Sequence, residues 1–333
     1  MTSFRVMTWN VENLFLPKID SSIEDVTQFA FKLNLLANVI RQFDPDVVGL
    51  QEVGGEEPLL ELQVTLNDVY PNRIVSAFPD GRGIRVAFLS KLEVTKVEDI
   101  ADFPPGPATQ IFREGPGGQI MPVTRMGRGA LFIRVENESL SINLINLHLK
   151  SKLLTYRTPS GRTSFQPPNE DARAQAAGIA LHRRTAEAIT VRKRVNQLVE
   201  NQTGKPLVLL GDFNDVPDAQ TSLLFTGPTG SGIGTRGFNR ADAGDDARLF
   251  NLAPLIPEER RYSRVHHGRG ELLDQIFASE ELFPRDALGR RTLPFVDSLV
   301  NFHGALDSIA DNPNLRKDEI PPDHAPVVAA FEL

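Results

Sequence analysis

The sequence predicts an α/β protein: two packed β-sheets with helices on their outer sides, in one domain over residues 1–333. Three observations carry that expectation. A strand, an amphipathic helix and a second strand follow one another within residues 4–50. A second, longer helix separates two strand-rich stretches, so each β-rich half keeps a covering helix. No Pro-, Gly- or Ser-rich linker divides the chain into self-contained halves.

The elements follow in order. A buried strand runs over 4–7. Phe29, Leu33, Leu36, Ile40 and Phe43 recur at helical spacing and form one face. Asp44-Pro45 ends that helix, because the residue before proline is pushed out of the α region. A second buried strand covers 47–50, and a shorter helix covers 58–67. Strands are expected at 73–77, 84–90 and 93–97, with Gly81-Arg82-Gly83 as a turn. Residues 101–127, rich in Pro and Gly, read as loop. Strands at 129–135 and 140–147 alternate as a hairpin around the polar turn 136–139. The segment 150–172 has no periodicity and carries Lys150, Lys152, Arg157 and Arg162 with Tyr156 and Phe165 among them. The longest helix spans 172–200, with Ala177, Leu181, Ala188, Val191, Val195 and Leu198 as its stripe, and is on the order of 40 Å long. The run 206–210 is a buried strand, 226–246 a Gly-rich segment expected to be mobile. Strands resume at 261–266, 272–277 and 327–331.

Composition narrows the function. Hydrophobic residues make up 41% of the chain, enough for a large core. The formal net charge of −7 argues against general coating of polyanions, which relies on excess Lys and Arg, but leaves room for a local basic groove. With no Cys, disulfides, thiolate metal sites and cysteine nucleophiles are excluded. No apolar run approaches the roughly 18 residues that span a bilayer. The start carries no charged and apolar leader pattern, so a cytoplasmic, monomeric protein is the expectation.

The informative pattern lies at the strand ends. Asn10, Glu52, His148, Asp212, Asn214, Asp274, Asp323 and His324 each stand just beside a buried strand. Carboxylates gathered in one pocket need compensation, since two about 4 Å apart repel by roughly 4 kcal/mol at an effective dielectric near 20. The donors are hard oxygens with few imidazoles, which suits Mg²⁺ or Mn²⁺. Asp274 and His324 are paired as an orienting carboxylate and its imidazole. Taken singly, Asn10, Glu52 or Asp212 would be turn and loop residues; the ordered set is what points to a site. His182, His266, His267 and His303 fit no pattern and read as surface or packing residues. Arg82 and Arg128, in Gly-flanked turns, are candidate phosphate contacts. The basic-aromatic segment 150–172 is read as a solvated loop ahead of a base-stacking surface.

Six motifs stand in order: Trp-Asn-Val-Glu-Asn from Trp9, Leu-Gln-Glu-Val from Leu50, Asn-Leu-His-Leu-Lys-Ser from Asn146, Gly-Asp-Phe-Asn-Asp from Gly211, Leu-Asp-Gln-Ile-Phe from Leu273 and Asp-His-Ala-Pro-Val from Asp323. Together they resemble the endonuclease/exonuclease/phosphatase superfamily, with the fold of DNase I, exonuclease III and neutral sphingomyelinase, from about Phe4 to Glu332. The resemblance implies a four-layer α/β/β/α sandwich, two mixed β-sheets flanked by helices, and Mg²⁺- or Mn²⁺-dependent hydrolysis of phosphoesters. It implies that Glu52 and Asn10 hold the main metal, with Asp323 and Glu12 at positions that serve a second. It further implies that His148 stabilises the phosphoryl transition state and that Asp212 and Asn214 position water and phosphate. His324, oriented by Asp274, is implied as general base or phosphate ligand, the base being left between this dyad and Asp212.

The chain departs from the pattern at Leu272, where Arg is common, at Gln275, where an aromatic or His is common, and at Pro322, where Ser is common. The leading reading is a metal-dependent nuclease attacking phosphorus with activated water, with a phosphoester, above all nucleic acid, as its partner. A lipid phosphodiesterase or a phosphomonoesterase is the alternative. A non-catalytic module is disfavoured, because none of Glu52, His148, Asp212 and His324 is missing. Inositol-phosphatase relatives typically show Trp-Cys-Asp-Arg at the orienting Asp, abasic-site endonucleases a Tyr near the His148 motif, and secreted sphingomyelinases an exposed apolar hairpin. None of these is visible in the sequence.

Overall fold

A computed structural model describes residues 3–114, 119–158, 162–200, 205–240, 247–310 and 321–333. The chain opens with β1 (Ser3–Leu14), α1 (Ile23–Phe43) and β2 (Val47–Val53), continues through α2 (Glu56–Thr65), and adds β3 (Asn72–Val75) and β4 (Arg85–Ser90). The second half runs through β5 (Glu93–Asp102), β6 (Arg125–Glu136), β7 (Ser141–His148), α3 (Glu170–Glu200) and β8 (Leu207–Asp212). It closes with β9 (Phe250–Asn251), β10 (Asp274–Ala278), β11 (Phe295–Ser298) and β12 (Val327–Glu332).

These strands form two six-stranded mixed sheets. The first has the order β11-β12-β1-β2-β4-β3 and the second β9-β10-β8-β7-β6-β5. β1 and β2 pair in parallel, which requires the crossover that α1 supplies. β7 and β8 are parallel likewise, joined through α3.

Period-2 alternation then divides every strand between two cores. Phe4, Val6, Val47, Val86 and Phe88 of the first sheet meet Leu131, Ile133, Leu144, Val208 and Leu210 of the second in one buried cluster between the sheets. Met7, Trp9, Val48 and Leu50 point the other way, onto Leu33, Leu36 and Ile40 of α1 and Leu59 and Leu62 of α2. Ile145, Leu147, Leu207 and Leu209 pack against Ala188, Val191, Val195 and Leu198 of α3. The layers are therefore helices, sheet, sheet, helix.

Several sequence expectations need correction. The 101–127 segment is not all loop: Ile111–Glu114 and Ile120–Val123 pair as an antiparallel hairpin with Phe112 and Ile120 exposed, and β6 begins at Arg125. Of its apolar residues Ile111 is buried while Phe112, Ile120 and Met121 are exposed, so no alternating burial pattern announced it. In 150–172, Tyr156–Arg157 pairs with Thr163–Ser164. Edge strand β11 was not anticipated, and its Phe295 is exposed while Val296 is buried. Leu181, assigned to the apolar stripe of α3, is half exposed; the inward face of that half of the helix carries Arg184 and Glu187 instead. The described part of the Gly-rich segment, 226–240, is closed by the Gly237 N–H to Gly230 C=O bond and by Phe238 wedged against Phe250 and Phe283. Residues 241–246 of that expectation lie outside the described residues. No described helix is long and apolar enough to cross a membrane.

Gly211 holds two strands at close approach. Its φ is 142°, and a Cβ there would fall 2.0 Å from the backbone oxygen of Leu147. Backbone cannot swing aside as a side chain can, so Gly211→Ala should lower stability by about 2–3 kcal/mol. Urea unfolding with far-UV detection measures the loss; a variant within experimental error of wild type would contradict it.

Candidate active site

The site forms where the face between the sheets changes from apolar to polar. Along β1, Phe4 and Val6 give way to Thr8 and Asn10, and along β7, Leu144 gives way to Asn146 and His148. In β8, Val208 and Leu210 are followed by Asp212. Sheet register then sets the row: Asp212 lies opposite His148 on one side and opposite Asp274 on the other. Below this row, Gln51 Nε2 donates to Asn146 Oδ1 at 2.7 Å, and Asn146 Nδ2 donates to the carbonyls of Leu50 and Ala87, which ties the two sheets together.

Alternation alone would not aim Glu52 at this row. Register shifts interrupt β1 between Asn10 and Leu14 and β2 between Gln51 and Val53. At these bulges Glu12, Asn13 and Glu52 adopt positive φ of 46°, 52° and 65°. Bulges re-aim side chains and are frequent beside active sites. Asn214, just past β8, has a φ of 51° as well. Left-handed backbone at non-Gly residues costs free energy and persists only when its surroundings hold it.

Asp212 is the common acceptor. Its Oδ2 receives Asn10 Nδ2 at 3.0 Å and Asn214 Nδ2 at 3.1 Å, and lies 3.2 Å from His148 Nε2; its Oδ1 receives the Asn214 backbone N–H at 2.8 Å. Burial pushes the Asp212 carboxyl up, but His148, His324 and the Asn214 amide outweigh it and hold it well below the usual carboxylate range. Across the pocket, His324 Nδ1 lies 2.6 Å from Asp274 Oδ2, and its backbone oxygen accepts Trp9 Nε1–H at 2.8 Å. Asp274 is fully buried behind His324; Asn10, Glu12, Glu52, His148, Asp212, Asn214, Asp323 and His324 line one cavity of about 470 Å³.

Among the described residues, no three His, Asp or Glu side chains converge as a ready metal cage. The donor set nevertheless fits a hard divalent ion held by one or two carboxylates with water and substrate oxygens completing its shell. The electrostatics support that fit. Burial, with the neighbouring Asp323 carboxylate, pushes Glu12 up to about 7, while its Oε2 accepts the Asp323 N–H. Burial also acts to raise Glu52, yet His148, Arg128, Arg82 and His324 hold it below its ordinary value. Crowded carboxylates of this kind are relieved by a cation.

The cavity walls come from segments that the strand-end pattern did not reach. Lys152, Tyr156, Phe165 and Arg173 form one side, and Arg82 and Arg128 another. Arg157's side chain lies outside what is described. Arg264, His266 and Glu271 form a third side, so His266 is not simply a surface or packing residue. These three sit on the hairpin Arg264–His266/Arg269–Glu271, whose two-residue turn His267-Gly268 has positive φ at both positions. A His-Gly pair between short alternating runs was the available signal. Gln275, one of the departures from pattern, turns away from the cavity to bond the Asp215 carbonyl and Ser222.

A model of the endonuclease/exonuclease/phosphatase family matches residues 7–296. Among solved structures, truncated TDP2 of Caenorhabditis elegans superposes with a TM-score of 0.56 at 14% identity, over 99% of this chain and 98% of that one. The mannosyl-6-phosphatase of Bacteroides thetaiotaomicron VPI-5482 gives 0.53 at 14%, over 99% and 100%. The human nocturnin catalytic domain with bound sulfate gives 0.51 at 15%, over 99% and 94%. At these identities the likeness shows the fold, the DNase I-like sandwich. No curated protein sequence matches.

Burial acts to lower the pKa of His324, but Asp274, then Asp323 and Asp212, push it up to about 10. The folded value stands above the free imidazole value of 6.5, so this stabilisation is complete below about pH 6.5 and is lost as pH rises through about 10. In metal-free protein the His324 ring should still show imidazolium shifts by NMR at pH 8, and Asp274→Asn should move its titration back toward neutrality. A ring that is neutral at pH 8 in the wild type would contradict the charge assignment.

Proposed function

The chain belongs to the endonuclease/exonuclease/phosphatase family, and from that premise we propose that it is a divalent-metal-dependent phosphodiesterase, a nuclease that cleaves nucleic-acid phosphodiesters by attack of water on phosphorus. Members of that family are mostly hydrolases of phosphoesters and generally use divalent metal ions. We further propose that it acts as a monomer, as one domain over 1–333, in the cytoplasm. The observation that carries the reading is the shared acceptor Asp212, fixed by Asn10, His148 and Asn214 on the cavity floor opposite the His324–Asp274 dyad.

Glu52 and Asn10 would hold the principal Mg²⁺ or Mn²⁺, with Glu12 and Asp323 available to a second. When bound, the ion polarises a phosphoryl oxygen and eases ionisation of water. The protein's own groups do the rest. Asp212 stays ionised and oriented, so it can align the attacking water and take up its proton. His324, with its proton secured by Asp274, presents Nε2–H as a cationic donor to a phosphoryl oxygen. This favours phosphate ligand over general base for His324. Asn214 and His148 add hydrogen bonds where negative charge grows in the transition state. Tyr156 and Phe165 beside Lys152 and Arg173 offer stacking faces next to cations, the combination that single-stranded nucleic acid uses.

A second reading rests on one observation. The exposed apolar hairpin at Phe112 and Ile120 is the kind of surface that a lipid phosphodiesterase would press into a bilayer.

With Mg²⁺ or Mn²⁺ the protein should nick supercoiled plasmid, EDTA should abolish nicking, and Asp212→Asn or His324→Ala should slow it by about 10²- to 10⁴-fold. Folded, metal-supplied protein that leaves plasmid intact and instead hydrolyses sphingomyelin vesicles, with loss on Phe112→Ser, would move the lipid reading to the front.

A further inference from the structure

Each Arg or Lys around the catalytic cavity lies against a carboxylate, with one exception among the described residues. Arg128 and Arg82 both lie against Asp80, at 3.2 and 3.6 Å. Lys152 pairs with Asp215 at 2.9 Å and Arg173 with Glu170 at 2.6 Å. Arg264 lines the same cavity, half-buried, and its side chain makes no hydrogen bond or ion pair with a described residue; its Nε is shut from solvent without a partner. Glu271 faces it across the hairpin in register, yet the two form no ion pair. A buried donor left unmatched costs on the order of 1–3 kcal/mol, so this guanidinium lacks an acceptor.

Its anchorage makes that lack informative. The preceding residue, Ser263, donates its N–H to Glu271 O at 2.9 Å and accepts the Ala325 N–H on its carbonyl at 2.7 Å. The Ser263 hydroxyl accepts the N–H groups of Leu273 and Asp274, each at 3.1 Å. Arg264 thus springs from a point tied to the neighbours of both dyad members, His324 and Asp274. An arginine pre-positioned in this way binds a phosphate through two parallel N–H donors with little ordering cost.

We propose that Arg264 forms a second anion subsite, which takes the phosphate next to the scissile phosphoester. The inference rests on the phosphoester-hydrolase reading and sharpens it: the enzyme selects substrates with a second negative phosphate close to the bond it cleaves, over singly charged diesters such as zwitterionic lipid headgroups.

The test compares a dinucleotide that has only its internal phosphate with the same dinucleotide bearing an added terminal phosphate, on either end. In the wild type one added phosphate should lower KM. In Arg264→Ala that gain should shrink by about 10- to 100-fold, kcat on the single-phosphate substrate should stay near wild type, and Arg264→Lys should recover part of the gain. Equal losses on both substrates, or a gain that survives in Arg264→Ala, would overturn the subsite. Thermal melts of both variants check folding. Should the wild type hydrolyse neither dinucleotide nor bis(p-nitrophenyl) phosphate, the hydrolase reading fails by itself. Calorimetric binding of the two dinucleotides in EDTA then judges Arg264 separately: preference for the added phosphate, lost in Arg264→Ala, supports the subsite, and equal affinities refute it.

Discussion

The face between the two sheets is apolar as far as Val6, Gly49, Leu144 and Leu210, and polar beyond them, at Thr8, Asn10, Gln51, Asn146, His148 and Asp212. Everything else about the site follows from where that change falls. Facing sheets lie about 10 Å apart, so a polar side chain in the gap finds a partner on the opposite sheet or pays for desolvation. Gln51 and Asn146 meet this condition directly, bonding to each other and to the carbonyls of Leu50 and Ala87. They close the hydrocarbon core and form the base on which the row His148, Asp212 and Asp274 stands.

That row gathers charge where the dielectric is low, and the protein balances it in two ways. Asp212 is surrounded by donors and the positive fields of His148 and His324, so its ionised form is favoured even when buried. At Glu12, burial and the like-charged Asp323 outweigh Lys32 and push the carboxyl up to about 7. The two carboxylates thus differ in their surroundings: donors and positive fields outweigh burial at Asp212 and do not at Glu12. Glu52 and Glu12 reach this region only through bulged, left-handed backbone. Strain of this sort is held by the surrounding sheet and fits a demand for ligand placement rather than for stability.

The legible part of the structure was the part written in period. Phe29, Leu33, Leu36 and Ile40 marked α1, and the buried runs 47–50 and 206–210 marked two central strands. The candidate site was legible because polar residues interrupt those runs at matching ends, in six short motifs. What was not legible depends on partners distant in sequence. The stripe placed on α3 included Leu181, while the inward positions Arg184 and Glu187 looked like solvent-facing charges. They face inward because Glu187 accepts the N–H groups of Gly127 and Lys150, and Arg184 reaches Asp215 and the Lys150 carbonyl. Edge strand β11 is short and buries the polar Asp297 and Ser298 beside Val296, and the hairpin leaves Phe112 and Ile120 exposed, so neither shows an apolar alternation. Arg264 and His266 belong to the cavity only because a two-residue turn folds their strand back beside Asp274.

Those α3 contacts separate the site into a floor and walls. The floor residues stand on strands held from both sides, and a change there would propagate through two sheets. The walls are held by separate contacts: Gly127 of β6 and Lys150 by Glu187, the Asp215 turn by Arg184, and the Arg264 hairpin by Ser263 and by pairing with Ser308–Ile309. Hydrolysis of a phosphoester asks only for the floor. Which phosphoester enters is set at the walls, where a cation already paired with a carboxylate must break that pair before it can bind a new anion. Arg82, Arg128 and Lys152 shape the field at the cavity mouth, but they enter binding at the cost of a local ion pair. Arg264 enters at no such cost, which makes the Ser263–Arg264 segment, rather than the more numerous paired cations, the natural determinant of how the substrate's second charge is read.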